Sequence, residues 1–201
     1  MSEIGTNLER AKQILLEGGV IAFPTETVMG LGVVFDNFIA YQNLNKIKGR
    51  PEDKPYTMMV KDVDEISKYA YVSANAQKVI NRFMPGPLTI LLKSRDNVPN
   101  WVTHNTGIIG IRIPNHKVLL ELLNKVEKPL LVPSANPSGE PPATNINQVL
   151  IYFNNLLDYI IEINSAGEKP STIIDFTNED PVIIREGSIS HQQIIKEIKE
   201  N

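Results

Sequence analysis

The sequence contains no cysteine, and this absence excludes disulfide bonds, thiol nucleophiles and zinc–thiolate sites. An excess of positive charge is also missing, because 20 lysines and arginines face 23 aspartates and glutamates, for a net charge of −3. A polybasic, histone-like protein is therefore excluded. No apolar run approaches the roughly 18 residues that a membrane-spanning helix needs, and residues 1–5 do not begin a signal peptide. We expect a cytoplasmic protein with no membrane partner.

Several motifs of well-known catalytic sites are absent as well. The chain lacks the phosphate-binding loop Gly-x-x-x-x-Gly-Lys-Ser/Thr and the Gly-x-Ser-x-Gly elbow of hydrolases. The glycines at 30 and 32 do not extend to a dinucleotide fingerprint, since Phe35 occupies the position of the third glycine. The histidines at 104, 116 and 191 are far apart, so we expect no metal ion held tightly by protein ligands.

Helical and strand-like segments alternate along the chain, which predicts one α/β domain over residues 1–201. Thr6 and Glu9 are spaced as a capping box, and two glycines at 18–19 predict the end of the first helix. Several strands follow one another after residue 158 without an intervening helix, so we expect a mixed sheet. Strands are predicted at 20–23, 56–60, 87–93, 107–113, 130–132, 159–163, 172–176 and 182–185, and further helices at 37–48, from 62, at 73–83, at 116–126, from 145 and from 190.

The first candidate site is the segment 24–32, Pro-Thr-Glu-Thr-Val-Met-Gly-Leu-Gly, which follows the predicted buried strand 20–23. Pockets of α/β sheets open at such strand ends. Two hydroxyls and one carboxylate leave this strand together, and the two glycines would let a backbone approach closely. The alternative is a turn with helix-cap chemistry and no ligand.

The second candidate is a group of four cations within nine residues, Lys46, Lys48, Arg50 and Lys54. A glycine and two prolines in the same segment fix a loop that keeps Lys48 and Arg50 near each other. Lysine as a point charge and arginine as a bidentate fork suit phosphate groups. The alternatives are charges that complement the end of a helix, or a solvated charge run.

Two arginines on strands form the third candidate, Arg112 in Ile-Ile-Gly-Ile-Arg-Ile-Pro and Arg185 in Val-Ile-Ile-Arg-Glu-Gly. Alternate residues of a strand share a face, so Gly110 leaves a hollow beside Arg112. An unpaired buried charge costs several kcal/mol. The partner of Arg112 is therefore either an internal carboxylate or an anionic group of a substrate, and Arg185 poses the same question.

Uncharged polar groups form the fourth candidate. Ser134 and Asn136 follow the predicted strand 130–132, and Ser171 precedes the strand 172–176. Their donors and acceptors suit phosphate oxygens or a carbonyl, although a serine or asparagine turn is the alternative. Since no general base or activated nucleophile is evident, these groups together favour a polyanion or nucleotide site that works by positioning and electrostatic stabilisation. Phosphoryl and nucleotidyl transfer are reactions of this kind.

Four sequence blocks in this order resemble the YrdC/TsaC family, the threonylcarbamoyl-AMP synthases. They are Pro-Thr-Glu-Thr-Val-x-Gly-Leu-Gly at 24–32, Lys-Gly-Arg-Pro at 48–51, Pro-Gly-Pro-Leu-Thr at 85–89 and Pro-Ser-Ala-Asn-x-Ser-Gly at 133–139. The segments Ile-Arg-Ile-Pro, Ser-Thr-Ile-Ile-Asp and Ile-Arg-Glu-Gly follow at the expected places, so the resemblance extends over about residues 8–198. Each block is weak alone, and their order makes the resemblance specific.

The resemblance implies a YrdC-like fold, a twisted mixed parallel and antiparallel sheet flanked by helices around a large concave site. It implies that L-threonine, bicarbonate and ATP, with Mg²⁺, react to L-threonylcarbamoyl-AMP and pyrophosphate. It also implies that this product serves the N6-threonylcarbamoyl modification of adenosine 37 in tRNA, through a link to the tRNA threonylcarbamoyl-transfer complex. Longer family members carry a second C-terminal domain, and we expect this chain to be the single-domain form.

The resemblance also implies roles for individual residues, and at three positions the chain departs from the family pattern. Met29, Lys54 and Met59 stand where the family usually has tyrosine, asparagine and histidine. The implied roles are catalysis at the phosphates for Lys48, Arg50, Ser134 and Asn136, ATP binding by these four with Lys54 and Arg185, and threonine binding by Thr27, Met59, Arg112 and Ser171.

Three other functions remain as alternatives. A YrdC-like RNA-binding module would use the concave surface, although a net charge of −3 argues against it. A carbamoyl-transferring enzyme would bind a carbamoyl adenylate and ignore threonine. A purely structural domain would leave the cations at 48, 50, 112 and 185 without partners.

Overall fold

Ten strands form one mixed sheet in the part of the chain that the computed structural model describes, which is residues 2–49, 55–153, 155–165, 167 and 169–200. The order of the strands in the sheet is β1-β8-β2-β3-β7-β4-β6-β5-β9-β10. This confirms the predicted α/β class and the mixed sheet. The strands are β1 Glu3–Gly5, β2 Ile21–Phe23, β3 Gly30–Val34, β4 Thr57–Met59, β5 Leu88–Lys93, β6 Ile108–Arg112, β7 Leu130–Val132, β8 Tyr159–Ile161, β9 Thr172–Asp175 and β10 Val182–Arg185.

Parallel and antiparallel pairs alternate irregularly across this sheet. β4 and β6 are parallel, as are β5 and β9, whereas β3 and β7, β4 and β7, and β5 and β6 are antiparallel. Antiparallel neighbours in the chain, such as β9 and β10, need no crossover helix. This explains why no helix separates β9 from β10, whereas β8 lies elsewhere in the sheet, between β1 and β2.

Seven helices flank the sheet in the described residues, and local capping bonds begin most of them. The side chains of Asn37, Asp62 and Ser73 each accept a hydrogen bond from a backbone N–H in the first turn, which satisfies donors that the helix leaves free. The prediction of Thr6 as the first cap is wrong, because Asn7 accepts from two backbone amides instead. The helices are α1 Leu8–Leu16, α2 Phe38–Lys48, α3 Val63–Tyr69, α4 Ala74–Phe83, α5 Lys117–Val126, α6 Ile146–Phe153 and α7 His191–Glu200.

The helices cover the two faces of the sheet unequally. One face packs against α2, α3, α4, α6 and α7 in a large apolar core. On the other face, the smaller core contains residues of α1 and α5 with residues of β2, β3, β7 and β8. Side chains of β4, β5, β6 and β9 on that second face line a cavity, and Met59 of β4 also belongs to the smaller core. Incomplete coverage by helices therefore creates the concave site.

Gly30 and Gly32 lie in β3, a fully buried strand, rather than in the turn that was the alternative for segment 24–32. Gly30 also lines the cavity. A Cβ on Gly32 would lie 2.4 Å from Cε1 of Phe23, and one on Gly30 would lie 3.0 Å from Cε2 of the same ring. The glycines thus make room for a buried aromatic side chain of the neighbouring strand.

Among the described helices, none has the length and apolar character that crossing a membrane requires.

Candidate functional site

A cavity of about 280 Å³ opens on the uncovered face of the sheet. Its walls come from the strands β4, β5, β6 and β9 and from the loops after β2 and β7. Six of the residues that the sequence predicts as site residues line it together, although they are spread over most of the chain: Thr27, Met59, Arg112, Ser134, Ser171 and Arg185.

A chain of hydrogen bonds leads from the loop after β2 to Arg112. The Arg112 guanidinium donates from Nη2 to Oγ1 of Thr27 at 3.0 Å, and the hydroxyls of Thr27 and Thr25 are 2.8 Å apart. Thr25 donates its own proton to the carbonyl of Val28 at 2.7 Å, so Thr27 donates to Thr25. The hydroxyl of Thr27 then keeps one free lone pair, which can accept a hydrogen bond from a ligand in the cavity.

An internal carboxylate also binds Arg112. Glu26 Oε1 lies 2.8 Å from Nη2 of Arg112, and both side chains are largely buried. Of the two partners that the sequence left open for Arg112, an internal carboxylate or an anionic substrate group, the internal carboxylate is therefore present. Arg112 nevertheless lines the cavity, and a planar guanidinium has five N–H donors. The internal pair thus leaves Arg112 able to bind an anion as well.

Arg185 approaches the cavity from the opposite side. Its Nε and Nη2 donate to the carbonyl of Ser171 at 3.0 and 2.8 Å, and the Ser171 hydroxyl is 2.9 Å from that of Thr89. The pKa of Arg185 is lowered, first because partial burial disfavours the charged form and second because the positive charge of Arg112 is near. Because Arg185 has no carboxylate partner among the described ion pairs and lies near a second positive charge, an anionic ligand would stabilise it.

Lys48, Ser134 and Asn136 form a connected cluster beside the cavity. The buried ammonium group of Lys48 donates to the carbonyls of Ser134 at 2.6 Å and Asn136 at 2.5 Å. Ser134 donates to Oδ1 of Asn136 at 2.6 Å, and of these three side chains Ser134 lines the cavity wall. The structure thus brings three members of the predicted tetrad together. The fourth, Arg50, and the predicted ATP contact Lys54 lie outside the described residues.

These contacts correct one argument against a purely structural domain. The cations at 48, 112 and 185 all have partners within the protein, so the expectation that they would lack partners is wrong. Lysine and arginine on strands and at helix ends find carbonyls and carboxylates from distant segments. The case for a binding site therefore depends on the shared cavity and on the similarity to other proteins.

Sequence reasoning missed several residues of the site. Thr89 and Tyr56 line the cavity without having been predicted there, and Glu26 binds Arg112 without having been assigned a role. The alternation of strand β5 would have placed Thr89 on one face, but the sequence does not reveal which face is open. The sequence shows Glu26 as a carboxylate beside Thr25 and Thr27. It does not show that the partner of this carboxylate is Arg112, 86 positions away.

A family model described as telomere recombination, Sua5/YciO/YrdC, matches residues 13–187. The chain belongs to this family. Within the Sua5/YciO/YrdC family, it is 37% identical to the threonylcarbamoyl-AMP synthase of Marinobacter nauticus, over 84% of this chain and 90% of that protein. It is 34% identical to the threonylcarbamoyl-AMP synthase of Pyrococcus abyssi, over 94% of this chain. The match spans 56% of the length of that longer relative.

Solved structures of the family have the same fold. Pyrococcus abyssi Sua5 complexed with L-threonine superposes with a TM-score of 0.93 at 32% identity, covering 99% of this chain and 61% of that one. Escherichia coli YciO superposes with a TM-score of 0.89 at 27% identity, covering 96% of this chain and 100% of that one. These similarities confirm the resemblance seen in the sequence blocks and the predicted sheet with flanking helices.

Proposed function

We propose that this protein is a threonylcarbamoyl-AMP synthase that makes L-threonylcarbamoyl-AMP and pyrophosphate from L-threonine, bicarbonate and ATP. The observation that carries the proposal is the convergence of five motif residues and Met59 on one cavity that contains two arginines and several hydroxyls. Relatives with this activity in their names support it, as does the complex of Pyrococcus abyssi Sua5 with L-threonine.

The proposed roles follow from the chemistry of each group. Arg112 binds the threonine carboxylate, and the free lone pair of Thr27 accepts from the threonine amine or hydroxyl. Ser171 contributes a hydroxyl to the same cavity, and Met59 supplies apolar surface for the substrate methyl group. These assignments place the amino acid at the β4–β6 end of the cavity.

The phosphate end of the site lies at the loop after β7. Ser134 contacts the phosphates, while Lys48 and Asn136 hold the loop that presents it. Arg185 binds the nucleotide, and Arg50 and Lys54 complete the phosphate contacts in this proposal. Mg²⁺ enters with ATP on its phosphate oxygens. In the described residues, no group of three or more histidine, aspartate or glutamate side chains forms a metal-binding cluster.

The reaction then depends more on the alignment of the substrates than on proton transfer by a protein side chain. Bicarbonate loses hydroxide to give CO₂, which the threonine amine attacks. The nitrogen then loses a proton, which combines with the hydroxide to form water, and an N-carboxylate results. An oxygen of this carboxylate attacks the α-phosphorus of ATP, and pyrophosphate leaves. Fixed positive charges around the cavity offset the negative charge that gathers at the phosphorus. The protein thus works chiefly by positioning its substrates and by charge stabilisation.

A tRNA threonylcarbamoyl-transfer system would consume the L-threonylcarbamoyl-AMP. Within the same proposal, this chain would also contact RNA. A cytoplasmic location also belongs to it, because ATP and newly made tRNA are available there.

The test is pyrophosphate release from ATP with Mg²⁺ and bicarbonate, with L-threonine, with L-serine and without an amino acid. We expect pyrophosphate release that depends on threonine, and we expect mass spectrometry to detect the adenylate.

Arg185→Ala should raise the KM for ATP, whereas Arg82→Ala should not, because the Arg82 side chain is 67% exposed on the helix α4. If the folded wild-type protein binds ATP but releases no pyrophosphate, the proposal is wrong. Salt-dependent RNA binding would then favour the RNA-binding module, and use of a carbamoyl adenylate the carbamoyl-transferring enzyme.

A further inference from the structure

Glu26 lies between the cavity and the start of α5. Its Oε1 atom is 2.8 Å from Arg112 Nη2 and accepts the backbone N–H of Asn115 at 3.0 Å. Its Oε2 atom is buried and has no hydrogen-bond partner in the described residues. Glu26 does not line the cavity, whereas the adjacent Thr27 does. The carboxylate therefore contacts Arg112 from the side away from the ligand space.

Arg112 has few other anchors. Its side chain is 6% exposed, and Nη2 is shared between Glu26 and Thr27. Nε is buried and has no partner among the described atoms. A buried guanidinium has lost most of its hydration, so the bonds that remain determine where its donors point. Glu26 supplies the one carboxylate that forms an ion pair with Arg112 in the described structure.

We propose that Glu26 is a positioning residue, whose carboxylate holds the Arg112 guanidinium in the orientation that binds the anionic group of the substrate. That this group is the carboxylate of threonine rests on the proposed function. The backbone amide of Asn115 fixes Oε1, so Glu26 is a stationary acceptor and does not swing into the cavity to compete with the ligand.

Two effects of Glu26 on ligand binding oppose each other. Its negative charge offsets that of Arg112 and weakens attraction for an anion, whereas its hydrogen bond fixes the guanidinium before the ligand arrives. Small misplacements of a binding group cost large factors in rate. Glutamine at this position keeps an acceptor oxygen for Arg112 and Asn115 but removes the charge. Alanine removes both, so the pair of variants separates orientation from charge.

The experiment compares Glu26→Ala and Glu26→Gln with the wild-type protein. Glu9→Ala is the matched control, because Glu9 also pairs with a cation, Lys125, but on the surface. We expect Glu26→Ala to raise the KM for threonine at least about tenfold, with the KM for ATP changed less than about twofold. Glu26→Gln should stay within about threefold of the wild type for both substrates, and Glu9→Ala should match the wild type.

A second readout does not depend on turnover. The Nε–H group of Arg112 gives a signal in a ¹⁵N-correlated NMR spectrum, which the Arg112→Lys variant assigns by its loss. Because this Nε is buried, we expect the wild-type signal to be protected from solvent exchange. Glu26→Ala should shift it and remove that protection, whereas Glu26→Gln should keep both the shift and the protection.

A Glu26→Ala protein that keeps the wild-type Nε signal and threonine KM would overturn the proposal. Equal rises in the KM values for threonine and ATP would also overturn it, because they indicate a general loss of structure. If the wild-type protein shows no threonine-dependent turnover, the proposed function fails. The NMR signal in Glu26→Ala then still decides the role of Glu26.

Discussion

Lys48 ends α2 with its ammonium group buried beside the loop 133–139. Its bonds to the carbonyls of Ser134 and Asn136 join two of the four sequence blocks. Burying a charged amine is costly unless its donors are satisfied, and here backbone oxygens satisfy two of them. At the scale of single residues, a cation predicted to bind phosphate therefore also holds the neighbouring binding loop in place.

Replacing Lys48 by methionine should harm both stability and activity. The variant removes the ammonium donor from two carbonyls, of which that of Ser134 keeps the backbone N–H of Asn136 as a donor, so we expect a cost of about 2 kcal/mol. For a protein of this size, Tm should fall by about 5–10 °C, and pyrophosphate release should be lost. Lys46→Met is the matched control, since Lys46 is exposed on the same helix. Thermal unfolding and the pyrophosphate assay check both effects, and a Lys48→Met protein as stable as Lys46→Met would contradict the anchoring role.

At the scale of elements, β3 shows how one strand depends on the side chain of another. Phe23 on β2 is fully buried, and its ring occupies the space beside Gly30 and Gly32 on β3. Glycine is unfavourable in a strand when judged alone. Its presence here reflects the packing of the pair β2–β3, whose register places Phe23 opposite Gly30.

Gly32→Ala should therefore destabilise the fold. The added methyl group would lie 2.4 and 2.8 Å from two atoms of the Phe23 ring, and such overpacking costs about 1–3 kcal/mol. Urea unfolding of Gly32→Ala, Phe23→Leu and the double variant measures the coupling. We expect the double variant to lose less free energy of unfolding than the sum of the single losses. Strict additivity would show that the ring is not the obstacle.

At the scale of the whole molecule, the site exists because helices leave one part of the sheet uncovered. Arg112 and Thr27 are 85 residues apart in sequence, and Lys48 and Ser134 are 86 apart. Folding of the whole sheet is thus needed before any part of the site forms. That the full protein consists of this one domain stays a prediction, as do the roles of Arg50 and Lys54.

The pH dependence of global stability should depend in part on His116. Partial burial lowers the pKa of His116 below its ordinary value of 6.5, against the opposing effect of the Glu26 charge, and its Nδ1 is buried without a partner in the described residues. Below pH 6.5 the unfolded chain binds a proton more readily at this position than the folded protein. Stability should therefore fall as pH decreases through 6.5 and change little from His116 above pH 7.

Urea unfolding between pH 7.5 and 5.5 measures this dependence. We expect His116→Gln to reduce the loss of stability toward low pH, and the exposed control His191→Gln to retain it. An unchanged pH dependence in His116→Gln would contradict the assignment to this histidine.

Most of the local elements of this protein can be predicted from short stretches of its sequence. Alternating segments indicated the α/β class, and the caps at Asp62 and Ser73 act within three residues of their own position. Ser190 and Gln193 likewise form a capping box at the start of the helix predicted from 190. Such bonds can be predicted because both partners lie in one short stretch of chain. The ordered sequence blocks likewise identified the family and five of the residues that line the cavity.

Which partners those residues have depends on contacts between distant segments. Gly30 and Gly32, for which a turn was the alternative, lie in a buried strand, where a ring from β2 occupies the space beside them. Arg112, left open between a carboxylate and a ligand, pairs with Glu26 and still faces the cavity. Contacts between segments some 85 residues apart depend on the order of strands in the sheet and on which face the helices cover. Neither is encoded in the spacing of nearby residues, since both follow from how the whole chain buries its apolar surface.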